Sequence, residues 1–412
     1  MTRAWLLLLA APAAAADAGL LDHPIVAANA PVYLDAGWIA SSGAALNGGA
    51  ALNISVPASV PGDLLTDLQK AKVIPDPWLD TTWIDNSSIW TEHEWTYTTH
   101  FDTPTADADA QSGGPNSLQL VFDGVKMGAT VRVNGKVVGV LRDQFLRYSF
   151  TISATVGLKS TGNRLDVTFA DDVAEDGRFM ACTGGWDWAP FSYTGTNSSH
   201  ATTGFAKSMS KGLWKSVYLL TVPAASVSIT HVTPHTLYKG AYPVAPLQDG
   251  THGGFIVNVT AHLWAPPGGA KGSLAVTGSW GGSDAERTAV SGEIDVPAGE
   301  SKASLQLSVT AAQIKLWWPS GVGAQPLYHV STTWTPPASA DDNVATAAPQ
   351  PPHAITAVRR LGFRVFTLVT INDTDAAIVA GNASSDGSGT HGMFFRVNGA
   401  AIYSRGANMI PM

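Results

Sequence analysis

Residues 130–140, with the sequence TVRVNGKVVGV, carry the clearest structural signal in this chain. Val131 and Val133 alternate with polar neighbours, as expected for a strand with one buried face. Asn134-Gly135 is a dipeptide that two-residue hairpin turns favour, because both of its residues tolerate positive φ. The returning run from Lys136 to Val140 completes a predicted β-hairpin.

Patterns of the same kind on both sides of this hairpin predict a mainly β protein. Short strands, Gly-rich turns and one helix capped by Asp63 favour a sandwich or jelly roll over residues 19–222. The strands predicted over residues 223–371 suit an immunoglobulin-like β-sandwich. Residues 372–391 are predicted to be a linker. A further hairpin, turning at Asn398-Gly399, is predicted after it.

The composition excludes several functional classes. Hydrophobic residues make up 45% of the 412 residues, and the net charge is -8, without a basic stripe that could bind nucleic acid. The chain has no Gly-rich phosphate loop, Cys cluster or Ser nucleophile elbow, so no cofactor is predicted. His231 and His235 have the spacing of a metal-binding pair, but Pro234 forbids the helix that would align them. No metal site is therefore predicted.

The N-terminus predicts entry into the secretory pathway. Arg3 precedes a short apolar core and an Ala-rich stretch, so residues 1–18 have the pattern of a cleaved signal peptide. No membrane association is expected after cleavage, and a lysosome-like vacuole or the extracellular space is the predicted location. Six Asn-x-Ser/Thr sequons are candidate glycosylation sites: Asn53, Asn86, Asn197, Asn258, Asn372 and Asn382.

The strongest functional motif is Gly185-Trp186-Asp187-Trp188-Ala189-Pro190. Indole faces stack on sugar rings, and a carboxylate between them can accept hydrogen bonds from two vicinal hydroxyl groups. The motif therefore indicates a carbohydrate-binding loop. The alternative is two core tryptophans with Asp187 capping a turn.

This motif and others in the same order along the chain resemble the N-terminal part of β-mannosidases of glycoside hydrolase family 2. The matching motifs are Val60-Pro61-Gly62, Ile74-Pro75-Asp76-Pro77, Trp95-Thr96-Tyr97, Val121-Phe122-Asp123-Gly124, Trp186-Asp187-Trp188, Gly212-Leu213-Trp214-Lys215, Leu316-Trp317-Trp318-Pro319, Gln325-Pro326-Leu327-Tyr328, Arg360-Leu361-Gly362-Phe363-Arg364 and Phe395 to Pro411. The chain departs from the family pattern at Ala189, Met409 and Met412, where Gly, Trp and Ala or Gln are more usual. These departures bear on fine specificity.

The resemblance implies that residues 19–222 form a jelly-roll (galactose-binding-like) sandwich and that residues 392–412 begin a truncated (β/α)8 catalytic barrel. It also implies retaining, exo-acting hydrolysis of terminal β-D-mannose from oligosaccharides by two glutamates on later barrel strands. Both glutamates would lie beyond Met412, so no catalytic residue is expected in this chain, which should be inactive alone.

The same resemblance assigns sugar-binding roles within the chain. Asp187 is expected to bind hydroxyl groups of the terminal mannose, while Trp186 and Trp188 form a wall that admits a single ring. Arg405 and Asn408 are expected to approach the sugar from the first barrel strand.

Two alternatives remain open. Another family 2 activity, such as β-galactosidase, β-glucuronidase or exo-glucosaminidase, is possible, although the Gly-Trp-Asp-Trp run favours mannose. Because a fold alone does not decide function, a non-catalytic carbohydrate-binding or structural fragment is the other alternative.

Overall fold

The computed structural model describes residues 31–46, 49–76, 79, 86, 88–104, 116–126, 128–152, 154–169, 211–280, 286–337, 354–370, 373–374 and 393–407. Their regular structure is almost entirely β, which confirms the predicted fold class. These residues form two compact units, the first within residues 29–224 and the second within residues 225–405. The domain boundaries predicted from the sequence stay predictions.

Strands β1–β10 belong to the first unit and pair in two antiparallel sheets. Their bounds are Val32–Tyr33 (β1), Trp38–Ala45 (β2), Ser55–Ala58 (β3), His93–Phe101 (β4), Ser117–Phe122 (β5), Ala129–Val133 (β6), Lys136–Leu141 (β7), Tyr148–Ile152 (β8), Asn163–Phe169 (β9) and Val217–Val222 (β10). One sheet has the order β1-β10-β5-β8 and the other the order β3-β2-β4-β9-β6-β7.

One hydrophobic core fills the space between these two sheets. Phe122 comes from the first sheet, whereas Trp38, Trp95, Tyr97 and Phe169 come from the second, and none of them is more than 2% exposed. Burial of each such side chain contributes about 1.5–3 kcal/mol to stability. The first unit is therefore a sandwich with an aromatic-rich core.

Among the described residues of the first unit, two short helices lie between β3 and β4. They are Leu64–Lys70 (α1) and Ser88–Thr91 (α2), and a 3-10 turn covers Ala154–Val156. Asp63 caps α1 as predicted, accepting a hydrogen bond from the Leu65 amide over 2.9 Å, and Leu64 and Leu68 face the core. In the described part of the chain, no helix has the length and apolarity to cross a membrane.

The hairpin predicted at residues 130–140 is formed by β6 and β7, with Asn134 and Gly135 at φ values of 48° and 77°. β9 lies between β4 and β6, and its residues Asp166 and Thr168 are each only 9% exposed. The Thr98 hydroxyl satisfies the Asp166 carboxylate over 2.7 Å.

Strands β11–β21 belong to the second unit. Their bounds are Ser228–Tyr238 (β11), Phe255–Ala265 (β12), Ala270–Ser279 (β13), Glu286–Val290 (β14), Ile294–Val296 (β15), Gly299–Val309 (β16), Tyr328–Thr335 (β17), Ile355–Leu361 (β18), Phe366–Val369 (β19), Phe394–Val397 (β20) and Ala400–Ile402 (β21), with a 3-10 turn at Ala311–Gln313. Antiparallel sheets β11-β12-β16 and β14-β13-β17-β18 share one core, and β15 pairs with β13.

A third, small sheet in this unit has the order β19-β20-β21. Its β20–β21 hairpin is the one predicted to turn at Asn398-Gly399. In the structure this hairpin extends β19, with Phe366 opposite Val397 and Val369 opposite Phe394.

Candidate functional site

Arg405 is the only predicted sugar-binding residue in the described part of the chain. Trp186, Asp187 and Trp188 fall within residues 170–210, and Asn408 falls within residues 408–412, so all four lie outside the described residues. The structure does describe the residues that flank the 170–210 segment on both sides. It also describes the surroundings of Arg405.

The segment that carries Asp187 starts and returns at the same end of the first unit. β9 ends at Phe169, which is fully buried and pairs with Trp95. The chain returns at Lys211, whose Nζ donates a hydrogen bond to the His93 carbonyl over 2.7 Å. His93 begins the strand that contains Trp95, so both roots of the segment lie beside the start of β4.

Backbone hydrogen bonds fix the returning residues 211–213 on two sides. The amides of residues 62 and 64 donate to the carbonyls of residues 213 and 211, over 2.7 and 2.8 Å. On the other side, the amide of Lys126 donates to the carbonyl of Gly212 over 2.8 Å. Residues 211–213 are therefore fixed to the sandwich from both sides.

The backbone at Gly212 packs closely against Gly62 and Asp63. Gly212 has a φ of 145°, and a Cβ there would lie 3.0 Å from Asp63 Cα and from the Gly62 carbonyl oxygen. The Asp63 carboxylate caps α1 and also forms an ion pair with Lys126. One carboxylate thus connects α1 to the strand pairing that holds Gly212.

An ion pair lies at the neighbouring ends of β5, β8 and β10. Arg147 donates from Nε to Asp123 Oδ1 over 2.6 Å, and the Tyr218 hydroxyl lies 3.4 Å from the same oxygen. Burial raises the pKa of Tyr218, so its hydroxyl stays a neutral donor at physiological pH. The Asp123 carboxylate is therefore held in place by Arg147 and Tyr218.

Trp214 follows the returning residues and is half-buried. Its Nε1 donates to the Gln144 carbonyl over 3.1 Å, and Lys215 Nζ lies 4.7 Å from its ring centroid. A Cβ at Gly124 would lie 2.7 Å from Trp214 Nε1, so only glycine fits there. The Trp214 indole is thus held in one position beside residues 211–213.

Arg405 lies in the second unit and lines a groove of about 840 Å³. In the same groove, the Arg364 guanidinium stacks over Trp317 and Phe366, with its Cζ 4.4 and 5.5 Å from their ring centroids. Phe366 in turn stacks on Phe395, with the ring centroids 5.0 Å apart. The groove therefore combines aromatic faces with two cationic side chains, which suits polar ligands with exposed apolar faces.

Asn398 fixes the hairpin that leads to Arg405. Its backbone and side chain form hydrogen bonds of 2.8 and 2.9 Å with the carbonyl and amide of Val365. Its Nδ2 also donates to the Trp317 carbonyl over 2.9 Å, and its own carbonyl accepts from the Leu247 amide. Asn398 is fully buried. The turn is therefore anchored at every polar group of this residue.

A buried ion pair supports the same hairpin. Arg396 binds the Asp373 carboxylate through Nε over 2.5 Å and through Nη2 over 2.9 Å, and its Nη1 donates to the Gly399 carbonyl. The Tyr242 hydroxyl donates to Asp373 over 2.9 Å. The Arg396 hydrogen bonds hold the pKa of Asp373 below its usual range.

Sequence reasoning missed several residues of these supports. Asp63 was predicted as a helix cap but not as the partner of Lys126, and the pairing of Asp373 with Arg396 was not predicted. Lys211 is only 7% exposed, although nothing in its sequence neighbourhood signals a buried cation. In each case the partner is distant along the chain, so pattern and spacing contain no signal.

Of the predicted sugar-binding residues, the structure therefore places Arg405 alone, and it lies in the second unit. The described ranges contain no gathering of three or more His, Cys, Asp or Glu side chains that could hold a metal ion. His231 and His235 lie on β11, and the nearest ring to His231 is that of His262 on β12, with centroids 5.6 Å apart.

Comparison with known protein families finds a match over part of this chain. The profile of the glycosyl hydrolase 2 galactose-binding domain-like family matches residues 40–198. That range covers most of the first unit and the Gly-Trp-Asp-Trp motif.

Curated relatives extend the similarity to both units. β-Mannosidase A of Aspergillus terreus is 28% identical over 91% of this chain, which corresponds to 38% of the relative. β-Mannosidase A of Aspergillus aculeatus is 27% identical over 88% of this chain and 37% of the relative. The chain thus spans less than two fifths of the length of these relatives.

Solved structures show the same fold. The β-D-mannosidase of Dictyoglomus thermophilum superimposes with a TM-score of 0.60 at 18% identity, covering 93% of this chain and 40% of that protein. A β-glucuronidase of Bifidobacterium dentium gives a TM-score of 0.55 at 16% identity, covering 93% of this chain and 53% of that protein. The predicted resemblance of this chain to the N-terminal part of the family 2 glycoside hydrolases, with β-mannosidases among its relatives, is therefore confirmed.

Proposed function

We propose that this chain is the N-terminal part of a retaining exo-β-mannosidase that removes terminal, non-reducing β-D-mannose from oligosaccharides. In this proposal the 170–210 segment contributes to the sugar-binding pocket and does not itself perform the chemistry. The substrate is a β-mannoside oligosaccharide, and no cofactor takes part.

The observation that carries the proposal is the continuous similarity to fungal β-mannosidases over about nine tenths of the chain. The chain also contains the Trp186-Asp187-Trp188 motif, whose residue types suit a sugar ring with vicinal hydroxyl groups. Its described root is rigid, since Lys211, Gly212 and Trp214 are each held by surrounding residues.

The chemistry itself needs two carboxyl groups about 5–5.5 Å apart. By resemblance these are glutamates in a catalytic barrel that this sequence does not contain. Asp187 would instead accept hydrogen bonds from sugar hydroxyl groups that strengthen as the ring distorts in the transition state. A wall formed by Trp186 and Trp188 would restrict the site to one terminal ring.

Asp187→Ala is the direct test, made in the chain joined to the catalytic portion that its relatives carry. Loss of a hydrogen bond to a charged group costs about 1.5–3 kcal/mol, which corresponds to an approximately 10- to 150-fold fall in kcat/KM for a chromogenic β-mannoside. Asp295→Asn is the matched control, because Asp295 is a surface carboxylate with 75% side-chain exposure. An Asp187→Ala enzyme as active as the control would contradict the proposal.

The second candidate is another family 2 activity, because the chain is also structurally similar to a β-glucuronidase. A panel of chromogenic β-mannoside, β-galactoside, β-glucuronide and β-glucosaminide substrates separates the candidates. We expect the highest kcat/KM for the mannoside. Preference for any other sugar would replace the proposed activity with that one.

A further inference from the structure

The β11-β12-β16 sheet of the second unit has a polar outer face. β12 is its central strand, and its residues alternate strictly between buried and half-buried along its whole length. Val257, Val259 and Ala261 point into the core and are fully buried. The residues between them point outward, as in an antiparallel sheet with one solvated face.

Polar side chains dominate this outer face on all three strands. They include His231 and His235 on β11, Asn258, Thr260 and His262 on β12, and Lys302, Ser304, Gln306 and Ser308 on β16. The two β11 histidines and the four β16 residues are exposed. Such a surface has the character of one that faces water rather than a protein partner.

Asn258 lies at the centre of this face and belongs to the sequon Asn258-Val259-Thr260. Its cross-strand neighbours are His235 and Gln306, both exposed. Because Val259 points into the core, both polar residues of the sequon project from the same outer face. The structure records no hydrogen bond from the Asn258 amide to another described residue, so folding does not sequester the group that would carry a sugar.

We propose that Asn258 is an N-glycosylation site and that its oligosaccharide covers the outer face of this sheet. The acceptor is the Asn258 side-chain amide, and the donor is a lipid-linked oligosaccharyl diphosphate used by the host's transferase. A bond forms between Nδ2 and the anomeric carbon of the first sugar, and the bond from that carbon to the diphosphate breaks. The lipid diphosphate leaves with the electron pair, and the amide loses one proton.

The modification precedes folding, whereas the fold decides whether a glycan can be accommodated. At Asn258 the first sugar would lie above Thr260 and between His235 and Gln306, whose side chains are exposed. The proposal is independent of the mannosidase activity, since it concerns a face remote in sequence from the Asp187 motif.

Asn53 provides an internal reference for the same chemistry. It is exposed, has a φ of 55°, and precedes Ile54, whose amide and carbonyl are hydrogen-bonded to Ser42. Its side chain therefore projects from a fixed turn. Modification at Asn53 shows that the chain has met the glycosylation machinery.

Expression of the 412-residue chain in a secreting yeast, followed by glycopeptide mass spectrometry, tests the proposal. Enzymatic release of N-glycans in heavy-oxygen water converts each modified Asn to a labelled Asp. We expect the label at Asn258. An unlabelled Asn258 overturns the proposal, whether or not Asn53 is labelled.

Three variants show that the sequon, and not a change of fold, controls the modification. Thr260→Val should abolish the glycoform at Asn258, whereas Thr260→Ser should restore it, because Ser also completes a sequon. Ser304→Val is the matched control: it removes the hydroxyl that lies 2.8 Å from the Thr260 hydroxyl but leaves the sequon intact. Loss of the glycoform in Ser304→Val would contradict control by the sequon.

Histidine modification by diethyl pyrocarbonate tests where the glycan lies. His235 should react more slowly in the glycosylated protein than in the enzymatically deglycosylated protein. His329 on β17 is exposed on a different sheet and should react equally fast in both. Equal rates at His235 in the two samples would show that the glycan does not cover this face.

Discussion

Arg396 and Asp373 form an ion pair in which the side chains are only 11% and 8% exposed. Removing two charges from water is costly, and the cost is recovered only when each group finds well-placed partners. Here the guanidinium contacts both carboxylate oxygens and the Gly399 carbonyl, while Tyr242 supplies a further donor. The pair therefore specifies one position for the β20–β21 hairpin that leads to Arg405.

Arg396→Met should destabilise the second unit by about 3–5 kcal/mol, because it leaves the Asp373 carboxylate buried without its cation. Urea denaturation followed by tryptophan fluorescence measures the change. Lys271→Met is the matched control, since it breaks the pair between Lys271 and Asp295, which are 65% and 75% exposed. Exposed pairs of this kind contribute little to stability. Similar midpoints for the two variants would contradict the structural role of Arg396.

The same pair predicts a dependence of stability on pH. Hydrogen bonds from Arg396 lower the pKa of Asp373 in the folded protein below its value in the unfolded chain. The resulting stabilisation is complete above the unfolded value, which is about 3.9, and is lost as the pH falls through the lower folded value. Asp373→Asn should remove this contribution. The difference in urea midpoint between wild type and Asp373→Asn should therefore shrink as the pH falls below the unfolded value. A difference that stays constant would show that the ionised Asp373 carboxylate does not supply this stability.

Residue-level predictions from the sequence succeeded where a single short pattern determines the outcome. Asp63 is followed by leucines at helical spacing, and it does cap α1. Asp166 shows where this reasoning ends: it is a polar residue between apolar ones in β9, yet it is only 9% exposed, because its burial depends on the strands that flank β9. The proposed roles of Asp187, Trp186, Trp188 and Asn408 stay predictions, because these residues lie outside the described ranges.

At the scale of elements, two hairpins turn at the same dipeptide in different surroundings. Asn134-Gly135 and Asn398-Gly399 have nearly equal φ values, 48° and 77° against 50° and 82°. A Cβ at Gly135 would meet none of the described atoms within 4 Å, whereas a Cβ at Gly399 would lie 2.0 Å from the Ala245 carbonyl oxygen. Turn geometry and tertiary docking can therefore be separated experimentally.

Gly135→Ala should cost about 1–2 kcal/mol, the penalty for an L-residue in the left-handed region. Gly399→Ala should cost clearly more, because the added methyl group also displaces the hairpin from residues 243–245. Thermal or urea unfolding of both variants measures the difference. Equal destabilisation would show that the contact with Ala245 does not hold the hairpin.

The start of α1 allows a second comparison between elements. Asp63→Ala removes both the helix cap and the ion pair with Lys126, whereas Asp63→Ser removes only the ion pair. We expect Asp63→Ala to be the less stable by about 0.5–2 kcal/mol, with faster hydrogen exchange in Leu64–Lys70. Identical exchange in the two variants would show that the cap contributes nothing to α1.

Both hairpins and the strands around Phe255–Ala265 and Gly299–Val309 could be predicted because strand alternation and turn chemistry are local properties. The order of strands in a sheet is not local. β5, for example, pairs with β10 and β8, which are distant from it in sequence, and no pattern within β5 specifies these partners. Only the family resemblance indicated how the strands assemble.

At the scale of the whole molecule, the chain corresponds to less than two fifths of its fungal relatives. The proposed function assigns the chemistry to two glutamates that are not among these residues, so we expect the purified 412-residue chain to release no chromophore from a chromogenic β-mannoside above a blank reaction. Measured turnover that persists after further purification would contradict this expectation. The same assay with the catalytic portion joined to the chain provides the positive control.

The Asn398-Gly399 turn has a further consequence for how a purified sample ages. Asn-Gly dipeptides deamidate readily, because the glycine amide can attack the side-chain carbonyl of the asparagine, and such residues limit durability at high temperature. At Asn398 the side chain is fully buried, and both of its polar atoms are hydrogen-bonded, to Val365 and Trp317. Peptide mapping after prolonged warm storage should therefore find Asn398 intact for as long as the second unit stays folded. The amount of aspartate that appears at this position would then measure how much of the protein has unfolded during storage.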